Sequence, residues 1–478
     1  MNRETRILKI QDIEKTDKPI GKIEIPWKDR LEPMDVYEIP LRFLVYNKYN
    51  GRILSRTKSY ENQRQLIDAE STEGKELIEK LLWDSKPSKN KETLESLKKL
   101  KQEKVGIITK DGIIIDGNRR AMLLNKIDEI DYFKAVILPV EYAGNPIEIE
   151  KFETKYQLGE ERKLDYNPIE IYLKIQRLYQ QLSESNYPNE GDKKKGVRVD
   201  KKAIDLIYNW IGNYKNINSA NDIEYSLQVM NLMDEYLEYQ DYNGIYTALD
   251  EREEQFRGLT NWLNTFYGET SAKAFDGYKN SDVDELKSVA FDLIRMKFKN
   301  EKFRYLAQGQ KQNHFFGTRE IWSSFLSNHE KIISSFKEEQ IDFNINNLEA
   351  HLNSRDTNLK NNIGDLIDEN VDIHYQKLRN KQSQDEPVKL LNKAIDSLES
   401  ININSKNFSK PDSLALTEKL ADLVNNTLQK KSPKRLLSHI VKLLEEIDTE
   451  KIPEQEKEGA KLLTKTIQSL GYQIHKNL

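Results

Sequence analysis

The pattern of apolar and polar positions along the chain changes character near residue 145. Before that point, short β-branched runs alternate with amphipathic stretches, whereas after it the apolar residues recur every three or four positions. Strands are predicted over residues 20–25, 36–45, 105–109, 113–115 and 132–142, and helices over residues 72–83, 93–101 and 118–127. This pattern predicts an α+β fold, in which a small mixed α/β domain precedes a mainly α-helical C-terminal region.

Helical periodicity dominates the second part of the chain. An amphipathic helix over 171–182 begins at Asn167-Pro168, where Asn is a favoured N-cap and Pro a favoured first-turn residue. Further helices are predicted over residues 203–211, 223–237, 248–267, 282–298, 318–337, 345–353, 359–400, 412–429, 433–447 and 455–470. We expect residues 1–32 to be a β-prone lead-in and the polar segment 380–412 to be a partly flexible linker.

These patterns divide the chain into five parts. They are a lead-in over 1–35, a compact α/β domain over 36–165, a helix-turn-helix-like helical domain over 166–245, a helical domain over 246–355 and a helical C-terminal region over 356–478. We find no internal repeat of fixed period, so the helical parts are not expected to form a solenoid.

The segment Ile113–Met122 carries the strongest chemical signal in the chain. A β-branched run leads into Asp116-Gly117, a turn signal, and Arg119 and Arg120 follow on the first turn of a predicted helix. Backbone N–H groups at a helix start and two guanidinium groups together favour a bound phosphate. Two cations at a helix N-terminus are repelled by the positive end of the helix dipole unless an anion lies between them. A solvated helix start without a ligand is therefore the less favourable interpretation. Asp116 is either a turn residue or a contact to ribose or metal.

Composition narrows the possible partners and compartments. The chain has 478 residues, a net charge of −4 from 75 basic and 79 acidic groups, and no cysteine. Disulfides and cysteine-based metal or nucleophile chemistry are therefore excluded, and a cytoplasmic location is expected. No signal-peptide pattern and no run of 18 apolar residues occurs, so no membrane association is expected. Any nucleic acid must bind to a local basic face.

One such basic stretch precedes the helices over 203–211 and 223–237. Its members are Lys193, Lys194, Lys195, Arg198, Lys201 and Lys202. Contact with DNA phosphates and an ordinary solvated loop are equally consistent with this stretch.

The remaining chemistry-bearing residues form no recognisable catalytic pattern. The six histidines are scattered, and none has a partner at metal-binding spacing. His314 lies in an aromatic segment that we interpret as a packed corner more readily than as a binding surface. No phosphate-binding loop of the Walker type is present.

The order of these motifs resembles the ParB/sulfiredoxin-like superfamily over roughly residues 36–240. The family element Gly-Glu-Arg-Arg-x-x-Ala is matched by Gly117-Asn118-Arg119-Arg120-Ala121, with Asn in place of Glu, and a later Pro-Ile-Glu is matched by Pro168-Ile169-Glu170. The family's Gly-Leu-x-x-Pro run is absent, and residues 53–90 look like an insertion. Because the chain has no cysteine, the redox activity of sulfiredoxin is excluded.

The resemblance implies that the α/β domain binds the phosphates of CTP or ATP together with Mg²⁺. It implies slow hydrolysis that serves as a conformational switch, and a homodimer or a partner protein joined through the helical C-terminal half. The nucleotide-binding residues implied are Asp116, Gly117, Asn118, Arg119, Arg120, Tyr49, Arg52 and Arg162. Glu153 is the implied metal ligand and, with Gln157, the implied catalytic residue.

Other functions remain open on the sequence alone. The chain is alternatively a DNA-binding protein with an inactive nucleotide pocket, or a nuclease or phosphotransferase on the same fold. Relatives with Asp-Gly-x-x-Arg motifs occur in bacterial defence systems, so a role in antiphage defence or in a mobile element is expected under several of these alternatives. A scaffold in which the helical half is the functional part is the remaining alternative.

Overall fold

The computed structural model of the chain describes residues 1–64, 66–159, 167–189, 192–193, 195–212, 214, 217–268, 278–309, 313–343, 347–406, 408 and 410–478. The chain divides into two units, Met1–Gln384 and Asp385–Leu478. A five-stranded sheet lies near the N-terminus of the first unit, and helices make up most of the remainder. The predicted α+β class with a helical C-terminal region is therefore confirmed.

The sheet places the Asp116-Gly117 turn at one of its edges. Its strands are β1 (Gly21–Trp27), β2 (Arg30–Pro40), β3 (Gly106–Ile108), β4 (Ile114–Asp116) and β5 (Tyr132–Ile137), in the order β1-β2-β5-β3-β4. β3 pairs in parallel with β5, and the other neighbours are antiparallel. The short strand β4 is thus an edge strand, and the chain leaves that edge directly into the turn.

A tight turn at Asp111-Gly112 connects the antiparallel strands β3 and β4. Gly112 has φ of 77°, a left-handed conformation that glycine adopts without strain. The buried Asp111 carboxylate accepts hydrogen bonds from Thr109 Oγ1 at 2.6 Å and from the Tyr142 backbone N–H at 3.0 Å. These contacts fix the hairpin turn in place.

The expectation of a β-prone lead-in over residues 1–32 is wrong for its first half. Arg3–Thr16 forms the helix α1, which Asn2 caps by accepting a hydrogen bond from Thr5 N–H at 2.9 Å. Only Arg6 and Ile10 of this helix are buried. Two inward positions in an otherwise polar segment leave almost no helical periodicity in the sequence, which is why the pattern did not indicate this helix.

Helices cover both faces of the sheet. The helices of this region are α2 (Leu54–Gln63), α3 (Thr72–Ser85), α4 (Pro87–Leu100), α5 (Asn118–Leu124) and α6 (Pro146–Gly159). Buried residues of α1, α3, α4 and α5 pack together against one face, and Ile149 and Phe152 of α6 pack against the other. The strands β3, β4 and β5 are therefore mostly buried, whereas β1 and the first half of β2 remain largely exposed.

The rest of the first unit is helical. Its helices are α7 (Pro168–Ser183), α8 (Lys201–Ile211), α9 (Ala220–Tyr239), α10 (Glu253–Trp262), α11 (Asn280–Arg295), α12 (Asn300–Arg304) and α13 (Arg319–Ser335), followed by α14 (Leu348–Glu399). The predicted start of α7 is confirmed, because Asn167 Oδ1 accepts a hydrogen bond from Ile169 N–H at 3.2 Å. Within the segment 380–412, expected to be a partly flexible linker, the helix α14 continues as far as Glu399, and the boundary between the two units falls after Gln384.

A large apolar core joins α7 and the helices from α9 to α14. A buried carboxylate, Asp356 of α14, fixes the register of this core. It accepts hydrogen bonds from Tyr242 at 2.8 Å, from Arg252 at 2.6 Å and from Arg295 at 2.8 Å. This pairing satisfies the charges that the core encloses.

The second unit contains α15 (Pro411–Lys431), α16 (Pro433–Glu445) and α17 (Lys457–Asn477). All residues of α16 and α17 are described, and none of them is buried. Among the described helices of the whole chain, none is long and apolar enough to cross a lipid bilayer.

Candidate functional site

The turn between β4 and α5 depends on a glycine. Gly117 has φ of 106°, and a Cβ atom at this position would lie 2.7 Å from Cζ of Phe133. Both the backbone conformation and the close approach of the Phe133 ring therefore exclude larger residues. The turn brings Asn118 and Arg119, both buried, to the start of the seven-residue helix α5.

Asn118 holds a second segment beside this turn. Its side-chain oxygen accepts a hydrogen bond from Asn47 N–H at 2.9 Å, and its amide donates to the Ile114 carbonyl at 3.1 Å. Val45 pairs with Ile113 as an isolated parallel bridge at the same sheet edge. The loop that follows Tyr46, including Arg52, is thereby positioned next to α5.

Arg119, on the first turn of α5, is a buried arginine. It is 7% exposed, and the structure shows no hydrogen bond or ion pair from its guanidinium to any described residue. Burial, and next the positive charge of Arg52, lower the pKa of Arg119 to about 10. The guanidinium still carries its charge at neutral pH, so a buried cation lies beside a second cation without a carboxylate partner in the described chain.

Arg119 lines a cavity of about 420 Å³ between the α/β domain and the helices that follow it. The cavity wall contains four cationic side chains, three carboxylates and three other residues. They are Arg52, Arg56, Lys86 and Arg119, then Glu170, Asp250 and Glu251, and finally Ser85, Asn167 and Pro168. We call this space the arginine cavity.

The carboxylates of the arginine cavity do not neutralise Arg119. Asp250 accepts a hydrogen bond from Asn167 Nδ2 at 2.8 Å and lies 3.7 Å from the guanidinium of Arg56. Glu170 accepts hydrogen bonds from Ser55 Oγ at 2.6 Å and from Ser55 N–H at 3.0 Å. Burial raises the pKa of Glu170 to about 7, so this carboxyl group is about half protonated at neutral pH.

The structure separates the two arginines that the sequence placed together. Arg120 donates to Asp116 Oδ2 at 3.3 Å and to the Lys104 carbonyl at 2.5 Å. These contacts tie Arg120 and Asp116 to the strand side of the turn, whereas Arg119 reaches the arginine cavity. Of the two, only Arg119 contributes to the cavity wall.

No protein-family model, curated protein or solved structure matches this chain. The assignment of a function therefore depends on the chemistry of the residues themselves.

Tyr49 is brought near the site but is partly covered. The guanidinium of Arg177 lies 3.9 Å from the centroid of the Tyr49 ring, and Arg177 also pairs with Glu150 at 2.8 Å. One face of the ring is therefore occupied by a cation, so a nucleobase could stack only on the other face.

Glu153, the predicted metal ligand, lies in a cationic environment. It is fully buried, accepts a hydrogen bond from Asn47 Nδ2 at 3.4 Å and lies 4.0 Å from the ammonium of Lys174. Because an amide donor and an ammonium already surround the carboxylate, its surroundings do not fit a magnesium ion. Within the described ranges, no group of three or more His, Asp or Glu residues is arranged to hold a metal.

Three of the predicted site residues lie wholly or partly outside the described residues. The side chain of Gln157 and the whole of Arg162 and Lys194 lie outside the described residues. The backbone of Gln157 belongs to the last turn of α6.

The predicted DNA-binding residues lie around the start of α8. Lys195, Arg198 and Lys202 are exposed, Lys201 is exposed and pairs with Glu224, and Lys193 lies 5.0 Å from the ring centroid of Tyr187. α8 and α9 are separated by residues 212–219, a longer connection than the turn of three or four residues in a compact helix-turn-helix. The exposed cations are available for contact with a polyanion.

Sequence reasoning missed several residues of the arginine cavity. Arg56 lies on the first turn of α2, two positions after its start at Leu54, whereas Arg52 lies in the turn before that helix, so no helical spacing in the sequence linked the two residues. Glu170 belongs to the Pro168-Ile169-Glu170 motif, but the sequence indicated no role for it in ligand binding. Lys86 and Asp250 gave no local signal, because only the tertiary fold brings them to the cavity.

Proposed function

We propose that the chain is a ParB-like nucleotide-binding protein that acts on DNA, and that the arginine cavity holds the phosphates of CTP or ATP. The observation that carries this proposal is the buried guanidinium of Arg119, which lacks an anionic partner among the described residues. A buried, uncompensated charge costs several kcal/mol of stability. A bound phosphate would remove that cost and the repulsion between Arg119 and Arg52.

The arginine cavity also has the size and charge that a phosphate ligand needs. Its volume of about 420 Å³ lies in the usual range for small-molecule sites. Arg52, Arg56 and Lys86 add three cationic side chains to Arg119. Guanidinium groups bind phosphate oxygens through paired, charge-assisted hydrogen bonds, which makes them well suited to a nucleotide polyphosphate.

The surroundings of Glu153 do not fit a metal, and the structure supplies no other described carboxylate cluster for one. We therefore assign no catalytic step to Glu153 or Gln157. Binding should be measured both with Mg²⁺ and with a chelator, and release of phosphate should be followed in the same samples.

The structure offers a matched pair of variants for this test. Arg119→Met removes the buried guanidinium that lines the arginine cavity. Arg120→Met removes the neighbouring arginine, which donates hydrogen bonds to Asp116 and to the Lys104 carbonyl. Fluorescent CTP and ATP are titrated against both variants and the wild type. We expect roughly a ten- to hundredfold loss of affinity for Arg119→Met, the equivalent of one charged hydrogen bond.

Arg120→Met should bind nucleotide within about threefold of the wild type, provided that its circular dichroism is unchanged. Equal affinities for the wild type and Arg119→Met would overturn the phosphate role. Absence of nucleotide binding by the folded wild type would do the same. Competition with unlabelled pyrophosphate separates recognition of the phosphates from recognition of the base.

The DNA part of the proposal depends on the exposed cations near α8. Replacing Lys195 and Lys202 by Ala should weaken DNA binding and lower the dependence of log affinity on log salt by about two. If the wild type binds DNA with an affinity that does not change when CTP or ATP is added, the alternative of a DNA-binding protein with an inactive pocket is favoured.

A further inference from the structure

A second and larger cavity lies on the other side of α2 from the arginine cavity. Its volume is about 610 Å³. Lys58 of α2, Gln176 and Gln180 of α7, and Asn231, Asp234, Glu235 and Glu238 of α9 form most of its wall. Asn186, Tyr187, Asn189, Asp192, Tyr246 and Lys287 complete it. We call it the amide cavity, because five of these side chains are carboxamides.

Lys58 is the principal unsatisfied group of the amide cavity. Its ammonium lies 5.4 Å from the centroid of the Tyr246 ring, and the structure shows no hydrogen bond or ion pair from it to a described residue. Burial lowers the pKa of Lys58, and the nearby charge of Asp234 only partly opposes that effect. An ammonium group has three donors, so this lysine can hold an acceptor that enters the cavity.

The carboxylate nearest to Lys58 is already engaged by other donors. Asp234 accepts hydrogen bonds from Gln176 Nε2 at 2.8 Å and from the Tyr246 hydroxyl. Glu235 is paired with Lys287 at 2.9 Å. Of the other amides, Gln180 donates to Asn186, and Asn189 Oδ1 accepts from Asp192 N–H at 2.8 Å. Lys58, Glu238 and the remaining polar atoms of these amides face the cavity.

The balance of charge argues against strongly charged ligands. Four carboxylates, those of Asp192, Asp234, Glu235 and Glu238, outnumber the two ammonium groups, so the wall repels an anion. Lys287 is already paired with Glu235, and it is the ammonium of Lys58 that repels a cation placed directly beside it. The wall offers both donors and acceptors at close spacing. Hydroxyl groups satisfy such a wall because each one donates and accepts.

We propose that the amide cavity is a binding site for a neutral, hydroxyl-rich small molecule of saccharide type, with Lys58 donating to one of its hydroxyl oxygens. The Lys58 ammonium lies over one face of the half-buried Tyr246 ring, so the carbon face of a sugar ring can pack against the opposite face. This site is independent of the proposed nucleotide site, since the two cavities share no lining residue.

The test compares three probes that share one scaffold and differ in charge. Methyl glucoside is neutral, glucosamine is cationic and glucuronate is anionic, and maltose is added as a larger neutral probe. Binding to the full chain is measured by saturation-transfer NMR and titration. We expect saturable binding of a neutral probe with a dissociation constant below ~10 mM, and at least about tenfold weaker binding of both charged probes.

Variants then connect the binding to this cavity. Lys58→Met should weaken binding of the neutral probe by about tenfold, the equivalent of one hydrogen bond. Lys75→Met is the matched control, because Lys75 also lies over a tyrosine ring, 5.9 Å from the centroid of Tyr46, but not in this cavity. Lys75→Met and Arg119→Met should both bind as the wild type does.

Three results would overturn the proposal. They are no saturable binding of either neutral probe, tighter binding of glucosamine or glucuronate than of methyl glucoside, and equal binding by Lys58→Met and the wild type. An Asn231→Leu variant covers the case in which Lys58→Met does not fold, and it should also weaken binding. Loss of nucleotide binding in Arg119→Met together with intact sugar binding would separate this site from the proposed nucleotide function.

Discussion

Glu170 places a titratable group in the wall of the arginine cavity. Its carboxyl group is fully buried and bonded to Ser55, and its pKa is raised to about 7 by burial. Arg56 lowers that pKa and Asp250 raises it. The protonation state of this one residue therefore changes the charge of the cavity within the physiological pH range.

This shift predicts a pH dependence of stability. The pKa of Glu170 is higher in the folded chain, about 7, than in the unfolded chain, so its contribution is complete at pH 4 and is lost as the pH rises through 7. The loss amounts to at most ~3 kcal/mol. Glu170→Gln should remove it, so the urea midpoint of the variant should fall less than that of the wild type between pH 5 and pH 8.

The control is the removal of another buried carboxylate. Glu150, paired with Arg177 at 2.8 Å, is replaced by Gln in the same way, and its profile shows what the loss of a buried charged pair does over the same pH range. If Glu170→Gln and the wild type show parallel profiles, the raised pKa of Glu170 is refuted.

His314 predicts a pH dependence of opposite sign. Nδ1 accepts a hydrogen bond from Gly317 N–H at 2.8 Å, so the neutral ring carries its proton on Nε2, which donates to Tyr267 Oη at 2.6 Å. Burial lowers the pKa of His314 to about 4. Stability is therefore complete above pH 6.5 and is lost as the pH falls toward 4, because the unfolded chain binds the proton first.

The measurement is the urea midpoint of the wild type and of His314→Asn at pH 7 and pH 5. The variant should be less stable at pH 7 and should lose less stability on acidification. Replacement of His475, which is exposed on α17, should change neither value. An imidazole resonance of His314 that titrates near 6.5 would contradict the prediction.

At the scale of the element, the β4–α5 turn shows how far the sequence could predict the site. The strand, the glycine turn and the helix start follow from local residue types, and so does the Asn167 cap of α7. Local residue types do not predict which of two consecutive arginines reaches a cavity. Neighbouring side chains on a helix point about 100° apart, and the tertiary fold sets the direction in which the cavity lies. Lys86 and Asp250 reach the arginine cavity from distant segments for the same reason.

The glycine of this turn gives a prediction with a close control. Gly117→Ala adds a Cβ that would lie 2.7 Å from Phe133 at a φ of 106°. Gly309 has φ of 104°, and no atom of the described residues lies within 4 Å of its Cβ position, so Gly309→Ala measures chiefly the cost of the backbone conformation. We expect a loss of about 1 kcal/mol for Gly309→Ala and about 3 kcal/mol or more for Gly117→Ala.

Thermal or chemical unfolding of both glycine variants provides the measurement. Gly117→Ala should also weaken nucleotide binding, since the turn carries Arg119. Equal stability of the two variants would show that the Phe133 ring moves aside at little cost.

At the scale of the whole molecule, the second unit has apolar side chains that its own helices leave exposed. In α17, Leu463, Ile467, Leu470 and Ile474 recur at spacings of four, three and four, which is the seam of a coiled coil. Each of these four residues is exposed. Most of the stability of an amphipathic helix in a protein comes from packing of its apolar side, so this exposed seam is suited to a partner surface.

We predict that α17 mediates self-association of the chain through this seam. Leu463→Asp combined with Leu470→Asp places two charges in the seam and should convert an oligomer to a monomer in sedimentation equilibrium at micromolar concentration. Lys465→Asp is the control, because position 465 lies on the opposite side of the heptad and should leave the mass unchanged. The prediction fails if the wild type is monomeric at every concentration, or if the seam variant and the control have the same mass.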